Sequence, residues 1–358
     1  MNVNNGSKML VRRIGFMPIW ILLAGMAVTI ITLAQSDVPF AVPTAPQKVL
    51  DNGPLHAEIY LPNAANGFYR GTRFDWSGVV GKLTYGGHNY YGPWFDDTDP
   101  KVGDWVYRDA KIVAGPCSAM TGPAEEFTVM GFDEAPAGGT FVKIGVGVLR
   151  KPDDAKYDHY RVYEIVQGAE WKIKTTGTSI EFEQQVLDKT SGLGYDYRKT
   201  IRLMPGAPQM TIEHSLQNTG TKDIQTRVYD HNFLVLDHQT TGPDFTIQVP
   251  FEIKPARPVD ATVGNTVGGK ISYIRPLEGG ERFSVSMAGF GPNVSDYNFT
   301  IANSKVNAQV RVVGDQPLTS DSLFSTRSVV AVEPYINISV ATGQQMQWKY
   351  VYTYGAAH

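Results

Sequence analysis

The strongest constraint on this chain is a recurring pattern. Short stretches alternate apolar and polar residues, and each closes on a turn-forming pair. Clear cases are SIEFEQQV (179–186), QMTIEHSLQN (209–218) and QMQWKYVYTY (345–354). HAEIYL (56–61), GKLTYGG (81–87), FVKIGVGVL (141–149), YRVYEIV (160–166) and EWKIKTT (170–176) follow it, as do YRKTIRLM (197–204), FTIQVPFEI (245–253), FSVSMAGF (283–290) and NAQVRVV (307–313). Alternation with a period of two is the signature of a half-buried strand, because successive side chains point to opposite faces. Gly86-Gly87, Ala137-Gly138-Gly139, Asn218-Thr219-Gly220 and Gly279-Gly280 supply the turn chemistry between strands. No run of ten residues beyond position 34 has helical periodicity, and no repeat of fixed length suggests a propeller or solenoid. The expectation is one large all-β domain over residues 53–358, an antiparallel sandwich of two sheets.

The first 52 residues read differently. Lys8, Arg12 and Arg13 precede an uncharged run, IGFMPIWILLAGMAVTIITLA (14–34). A basic segment followed by an apolar one is an export signal or a signal anchor. The run is long enough to span a bilayer, while Thr32 and Ala34 would suit cleavage before Gln35. Either outcome places the remainder outside the cytoplasm, periplasmic or extracellular, and limits membrane contact to this segment if it is retained. Residues 36–52 are expected to be a Pro-containing linker. Net charge is −3, which leaves no electrostatic footprint for nucleic acid. The single cysteine, Cys117, has no partner for an intramolecular disulfide and is expected to be a small buried residue.

Three clusters could carry chemistry. Residues 67–95 gather Arg70, Arg73, Asp75, Trp76, His88 and Trp94. Aromatic faces with forked Arg donors suit a sugar ring and its hydroxyls, although the same residues could be core aromatics and internal ion pairs. Residues 228–238, VYDHNFLVLDH, hold two Asp-His pairs inside an apolar run. On a strand only one member of each pair faces a given side. An imidazole there suits general acid chemistry, with Asp230 or Asp237 orienting a ring or facing solvent. Glu333 ends the apolar run Val329–Val332 just before Pro334, where a carboxylate is aimed into a pocket or paired at a rim. The GPAEEF segment, with Glu125 and Glu126, reads as a solvated loop. Hydrolase, zinc-protease, P-loop and dinucleotide signatures are absent from the sequence. His231 and His238 lie seven apart, on opposite faces of a continuous strand, which argues against shared metal ligation.

Taken together, these segments resemble the galactose mutarotase (aldose 1-epimerase) superfamily. The strongest stretch is 209–253. Asn218-Thr219-Gly220 fits the family's Asn-x-Gly turn, and His231-Asn232-Phe233-Leu234 fits its histidine motif, with Asp230 where the family usually has Asn. Glu333, followed by Thr342-Gly343-Gln344 and the aromatic strand WKYVYTY, fits the position of the family's catalytic glutamate. The resemblance implies a β-supersandwich over roughly 50–358, with His231 as general acid and Glu333 as base. It implies a carbohydrate ligand and no metal or organic cofactor. YRGTRFDWSG offers Arg70 and Arg73 for the family's substrate-contact arginine. The GPAEEF loop, with Glu126, stands where the family's second histidine would be, while His88 lies in a loop beside Gly86-Gly87. Anomer interconversion of a sugar is the leading expectation. A polyuronate lyase built around Arg70 and Arg73, and a non-catalytic carbohydrate-binding domain, are the alternatives.

Overall fold

The computed structural model describes residues 45–168 and 170–357. The apolar run 14–34 and the first part of the expected linker therefore lie outside the described residues. Among the described residues no helix is long and apolar enough to cross a membrane. The described residues form antiparallel strands, with one short parallel pairing among them (Asp97–Thr98 beside Lys111–Ala114).

One face of the molecule is a ten-stranded sheet. Its order runs Trp171–Thr175, Ser179–Asp188, Leu193–Leu203, Gln209–Asn218, Gln345–Gly355, Ala308–Gly314, Asn298–Asn303, Phe245–Gln248, Lys270–Tyr273, Gly264–Val267. The alternation in the sequence becomes alternation of burial. On Gln209–Asn218, Met210, Ile212, His214, Leu216 and Asn218 point inward. On Gln345–Gly355 the inward set is Trp348, Tyr350, Tyr352 and Tyr354. Ile212 is completely buried, so truncation to alanine would cost about 2–5 kcal/mol.

The opposing layer is made of shorter sheets. Ile224–Phe233 is central, flanked by Gly122–Phe127 on one edge and Tyr335–Val340 on the other. A second triplet, Phe283–Met287, Asp321–Thr326 and Val329–Val332, adjoins it through the bridges Leu234↔Val330 and Ser320↔Tyr335. Large aliphatic and aromatic side chains from both layers fill one continuous core between them.

Several expectations need correction. Gln47–Asp51, inside the expected linker, is a strand paired with His56–Tyr60. FVKIGVGVL is a hairpin of Thr140–Lys143 and Gly147–Arg150, because Gly145 and Gly147 take the positive φ that turns the chain. YRVYEIV contributes only its end, within Ile165–Gly168. GPAEEF is a fully buried strand rather than a solvated loop. Its two carboxylates are held inside by cations from distant segments. Cys117 is buried, as expected.

Candidate functional site

The pairing of Gly122–Phe127 with Ile224–Phe233 sets Tyr229 opposite Glu126, Asp230 opposite Glu125 and His231 opposite Ala124. Because side chains alternate, Tyr229, His231, Phe233 and Glu126 face one side of this layer, while Asp230 and Glu125 face the ten-stranded sheet. Two chemically distinct environments therefore lie back to back.

The inner environment is a buried polar cluster. The Lys199 ammonium donates to Glu125 Oε2 and to the Ser77 carbonyl at 2.9 Å, with Asp75 at 3.5 Å. His214 Nε2 meets Glu125 Oε1 at 2.8 Å, and its ring stacks on Trp348 at 4.7 Å. Asp75 also accepts from the Tyr197 hydroxyl at 3.0 Å. Burial raises the Glu125 carboxyl, but Lys199 and His214 outweigh it and bring it to about 2. Asp230 goes the other way. Burial and the facing Glu125 push it up to about 8.

Asn232 donates its amide to the carbonyls of Asp230 and Val332 at 2.9 and 3.0 Å, and the Tyr352 hydroxyl faces both Asn232 Oδ1, 2.8 Å away, and Asp230 Oδ2 as donor.

The outer environment is a cleft of about 290 Å³ lined by polar and aromatic side chains, among them Arg73, Trp94, His231, Phe324 and Glu333. His231 Nε2 lies 2.8 Å from Glu333 Oε1, and the Ser322 hydroxyl donates to Glu333 Oε2 at 2.7 Å. The imidazole is stacked on Phe233 with centroids 3.6 Å apart and meets the edges of Phe74 and Phe324. His231 Nδ1 is buried without a hydrogen-bond partner among the described residues. Burial pulls the His231 pKa below its ordinary 6.5, more strongly than Glu333 raises it. Burial raises Glu333 as well, but the His231 pair and the Ser322 hydroxyl leave it below the usual carboxylate range. The two groups titrate as a unit.

The cleft floor is a second ionic network. Arg73 Nε donates to Glu126 Oε2 at 2.7 Å and Arg73 Nη2 to the Tyr229 hydroxyl at 2.8 Å, while Tyr229 donates to Glu126 at 2.5 Å. Lys143 Nζ and His159 Nδ1 each lie 3.4 Å from Glu126 Oε1. The charges of Arg73 and Lys143 and the His159 contact outweigh the cost of burial and hold Glu126 well below the ordinary carboxylate range. Arg73 is placed by Tyr69, whose hydroxyl accepts the backbone N–H groups of Arg73 and Phe74 and donates to the Cys117 carbonyl.

The structure brings His231, Glu333, Arg73 and Trp94 to the cleft, and sets Glu126 beneath it. The other candidates lie elsewhere. Arg70 is exposed and donates to the Ala65 carbonyl. Asp75 and Asp230 are in the inner cluster, and Trp76 donates to the Gly71 carbonyl beside a satellite core. His88 sits on the short His88–Asn89 strand and pairs with Asp237 at 2.7 Å. Asp237 thus orients an imidazole, but of His88 rather than His231. His231 and His238 share no site: the strand ends at Phe233, and His238 closes a short 3₁₀ turn, Leu236–His238. No group of three metal-ligating side chains occurs among the described residues.

Asp104, His159, Tyr160, Arg282 and Ser322 were not singled out from the sequence, yet all line the cleft. Apart from the adjacent His159 and Tyr160 they stand on separate segments, and they carry no local motif. Only Ser322 had a usable signal, its place on the outward phase of an alternating strand.

No family model and no curated protein matches the sequence. Solved structures do share its fold. The Slr1438 protein from Synechocystis superposes with a TM-score of 0.50 at 10% identity, covering 88% of this chain and 98% of its own. A GalM/aldose epimerase homologue from C. elegans reaches 0.47 at 11% identity, covering 88% and 100%. A galactose mutarotase-like protein from Lactobacillus casei reaches 0.46 at 12%, covering 86% and 99%. At such identities the likeness is one of fold.

Proposed function

We propose that this chain is a carbohydrate-binding enzyme of the aldose 1-epimerase type, with His231 and Glu333 as its acid–base pair. The observation that carries this reading is their 2.8 Å contact inside an aromatic-lined cleft. Several of the fold's structural neighbours are described as mutarotase-like or aldose epimerase proteins, which agrees with it.

Anomer interconversion moves two protons on two oxygens joined to the same carbon. The acid and the base must therefore lie close together, and adjacent groups suit this demand. Glu333 takes the proton of the anomeric hydroxyl. That O–H pair forms the C1 carbonyl as the bond from C1 to the ring oxygen breaks. The ring oxygen takes a proton from the Nε2 of protonated His231. Rotation about C1–C2 presents the other face of the aldehyde, and the reverse transfers close the ring. Protons balance over the cycle. The sugar enters by replacing the direct His231–Glu333 contact with one contact to each group. Arg73 and Tyr229 form the polar floor, and Trp94 supplies an apolar wall. The residues 14–34 place this chemistry outside the cytoplasm in this reading.

A second reading also rests on the dyad. Both Glu333 oxygens already hold partners within the protein, as they would in a purely structural pair. The cleft would then bind a glycan without converting it. A uronate lyase loses its footing, because Arg70 and Arg73 do not share a site.

Exchange NMR on freshly dissolved α-anomers of several hexoses and pentoses tests the proposal. Accelerated exchange that disappears in Glu333→Gln supports the epimerase. Binding without acceleration by any sugar supports the second reading.

A further inference from the structure

We propose that Arg282, held by Asp104, is the specificity-determining residue of the cleft, and that it reads a pair of neighbouring hydroxyls on an uncharged sugar, away from the anomeric carbon. The inference takes its ligand class from the sugar reading above, and does not depend on whether the dyad turns the sugar over.

The pair joins two segments far apart in the chain. Arg282 directly precedes the Phe283–Met287 strand and Asp104 directly precedes Trp105–Arg108. Arg282 Nη2 donates to Asp104 Oδ2 at 2.7 Å. The Ser118 hydroxyl donates to Asp104 Oδ1 at 2.8 Å. Asp104 is thus fixed from two sides. The guanidinium lies over Trp105 at 5.1 Å and over Phe324 at 5.3 Å. Its backbone is seated as well. A Cβ on Gly280 would come 2.7 Å from the Tyr107 Cβ, so this turn packs against Tyr107 only because it lacks a side chain.

This arrangement differs from the cleft's other ion pairs. Arg73 and Glu126 are buried and spend their hydrogen bonds inside the protein. The Arg282 side chain is 44% exposed and makes one hydrogen bond among the described residues. A guanidinium has five N–H donors in a rigid fork. Its remaining donors make no hydrogen bond among the described residues, and two aromatic rings flank the guanidinium. Such a fork fits two adjacent oxygens. Asp104 balances its charge, so hydroxyls suit it better than a carboxylate or a sulfate. Phe324 is the link to the chemistry, because the ring that supports Arg282 also meets the His231 imidazole at 5.5 Å.

The test is equilibrium binding of methyl glycosides, followed by ligand-observed NMR or calorimetry. These sugars lack a free anomeric hydroxyl, so they report recognition and not turnover. Wild type is compared with Arg282→Met, Arg282→Lys and Glu333→Gln, each checked for folding by thermal melting. Loss of a hydrogen bond to a charged group predicts affinity lower by on the order of tenfold or more in Arg282→Met. Arg282→Lys loses most of this too, because a point charge cannot replace the fork. A deoxy glycoside lacking one of the two hydroxyls should lose less affinity on going to Arg282→Met than the intact sugar does. Intact-sugar affinity within twofold of wild type in Arg282→Met overturns the inference while the epimerase reading stands. Tighter binding of a glycuronide than of its neutral parent overturns it as well. Selective loss in the Arg282 variants without any anomer exchange keeps this inference and removes the epimerase. Failure of wild type to bind any glycoside overturns the inference, and exchange NMR on free sugars then decides the epimerase reading by itself.

Discussion

His231 and Glu333 stand directly opposite one another in one antiparallel register. The ladder pairs Tyr229 with Tyr335 on one side of them, and Leu234 bridges Val330 on the other. Between these points Pro334 cannot donate to a ladder, and the side chains meet instead, at 2.8 Å. The next strand continues the row. Leu323 pairs with Val332, which sets Ser322 beside Glu333, where it holds the second carboxylate oxygen. The dyad is a cross-strand line of three residues, placed by sheet geometry rather than by a loop.

Replacing Glu333 by Gln keeps the shape of this line and removes its base. Sugar turnover should fall by roughly 10²–10⁴-fold, the usual worth of one acid–base group, while binding of a methyl glycoside changes little. Exchange NMR and calorimetry on the same preparations check the two halves. Unchanged turnover would remove Glu333 from the mechanism.

The pH profile should be bell-shaped with an acidic optimum. Catalysis needs Glu333 ionised and His231 protonated. Burial lowers the His231 pKa from 6.5, so the alkaline limb should fall below that value. Glu333 is also lowered, from 4.5, which puts the acid limb lower still. A kcat/KM series across the acidic and neutral range reads both limbs, which belong to the pair. A maximum at alkaline pH would contradict the assignment of His231 as acid.

Asp230→Asn should fold normally and retain turnover, because the native carboxyl is already neutral and faces away from the cleft. In the wild type its folded pKa, about 8, lies above the ordinary 3.8. Its contribution to stability is then fully present below 3.8 and is lost as pH rises toward 8. The variant should lack this slope. Urea midpoints measured through that interval would show it, and an undiminished slope would mean that Asp230 is ionised.

Glu126→Gln should destabilise the fold by about 3–5 kcal/mol, the cost of removing one partner from a buried ion pair. Arg73 and Lys143 would lose their shared counter-charge. Urea unfolding of the variant checks this, and a loss under 1 kcal/mol would mean that solvent already screens the network.

Much of the strand layout was legible, because alternation reflects burial directly. Gln209–Asn218 has the limits that its pattern suggests. Strands whose polar residues are paired inside the protein were not legible. GPAEEF reads as a loop since nothing near it in sequence can neutralise two carboxylates. Its partners are Lys199 and Arg73, 74 and 53 residues away. His231 and Glu333 could each be picked out as polar breaks in apolar runs, but the register that joins them is long-range. Arg70 and Arg73, three residues apart, looked equivalent. Tyr69 anchors only the loop of Arg73, and the Arg70 side chain turns out to Ala65. Arg282 carries no local signature, and its role is visible only once Asp104 and the two aromatic rings surround it.

The back-to-back use of Glu125 with Glu126, and of Asp230 with His231, limits how this protein can change over generations. Inserting or deleting one residue would exchange the two environments at once, within Gly122–Phe127 by swapping Glu125 with Glu126, and within Ile224–Phe233 by putting Asp230 in the cleft and His231 against the aromatic interior. Neither strand can drift in length by small steps. Variation in length among descendants of this chain should therefore gather in the turns around 134–139 and 219–223, while these two strands change only by substitution.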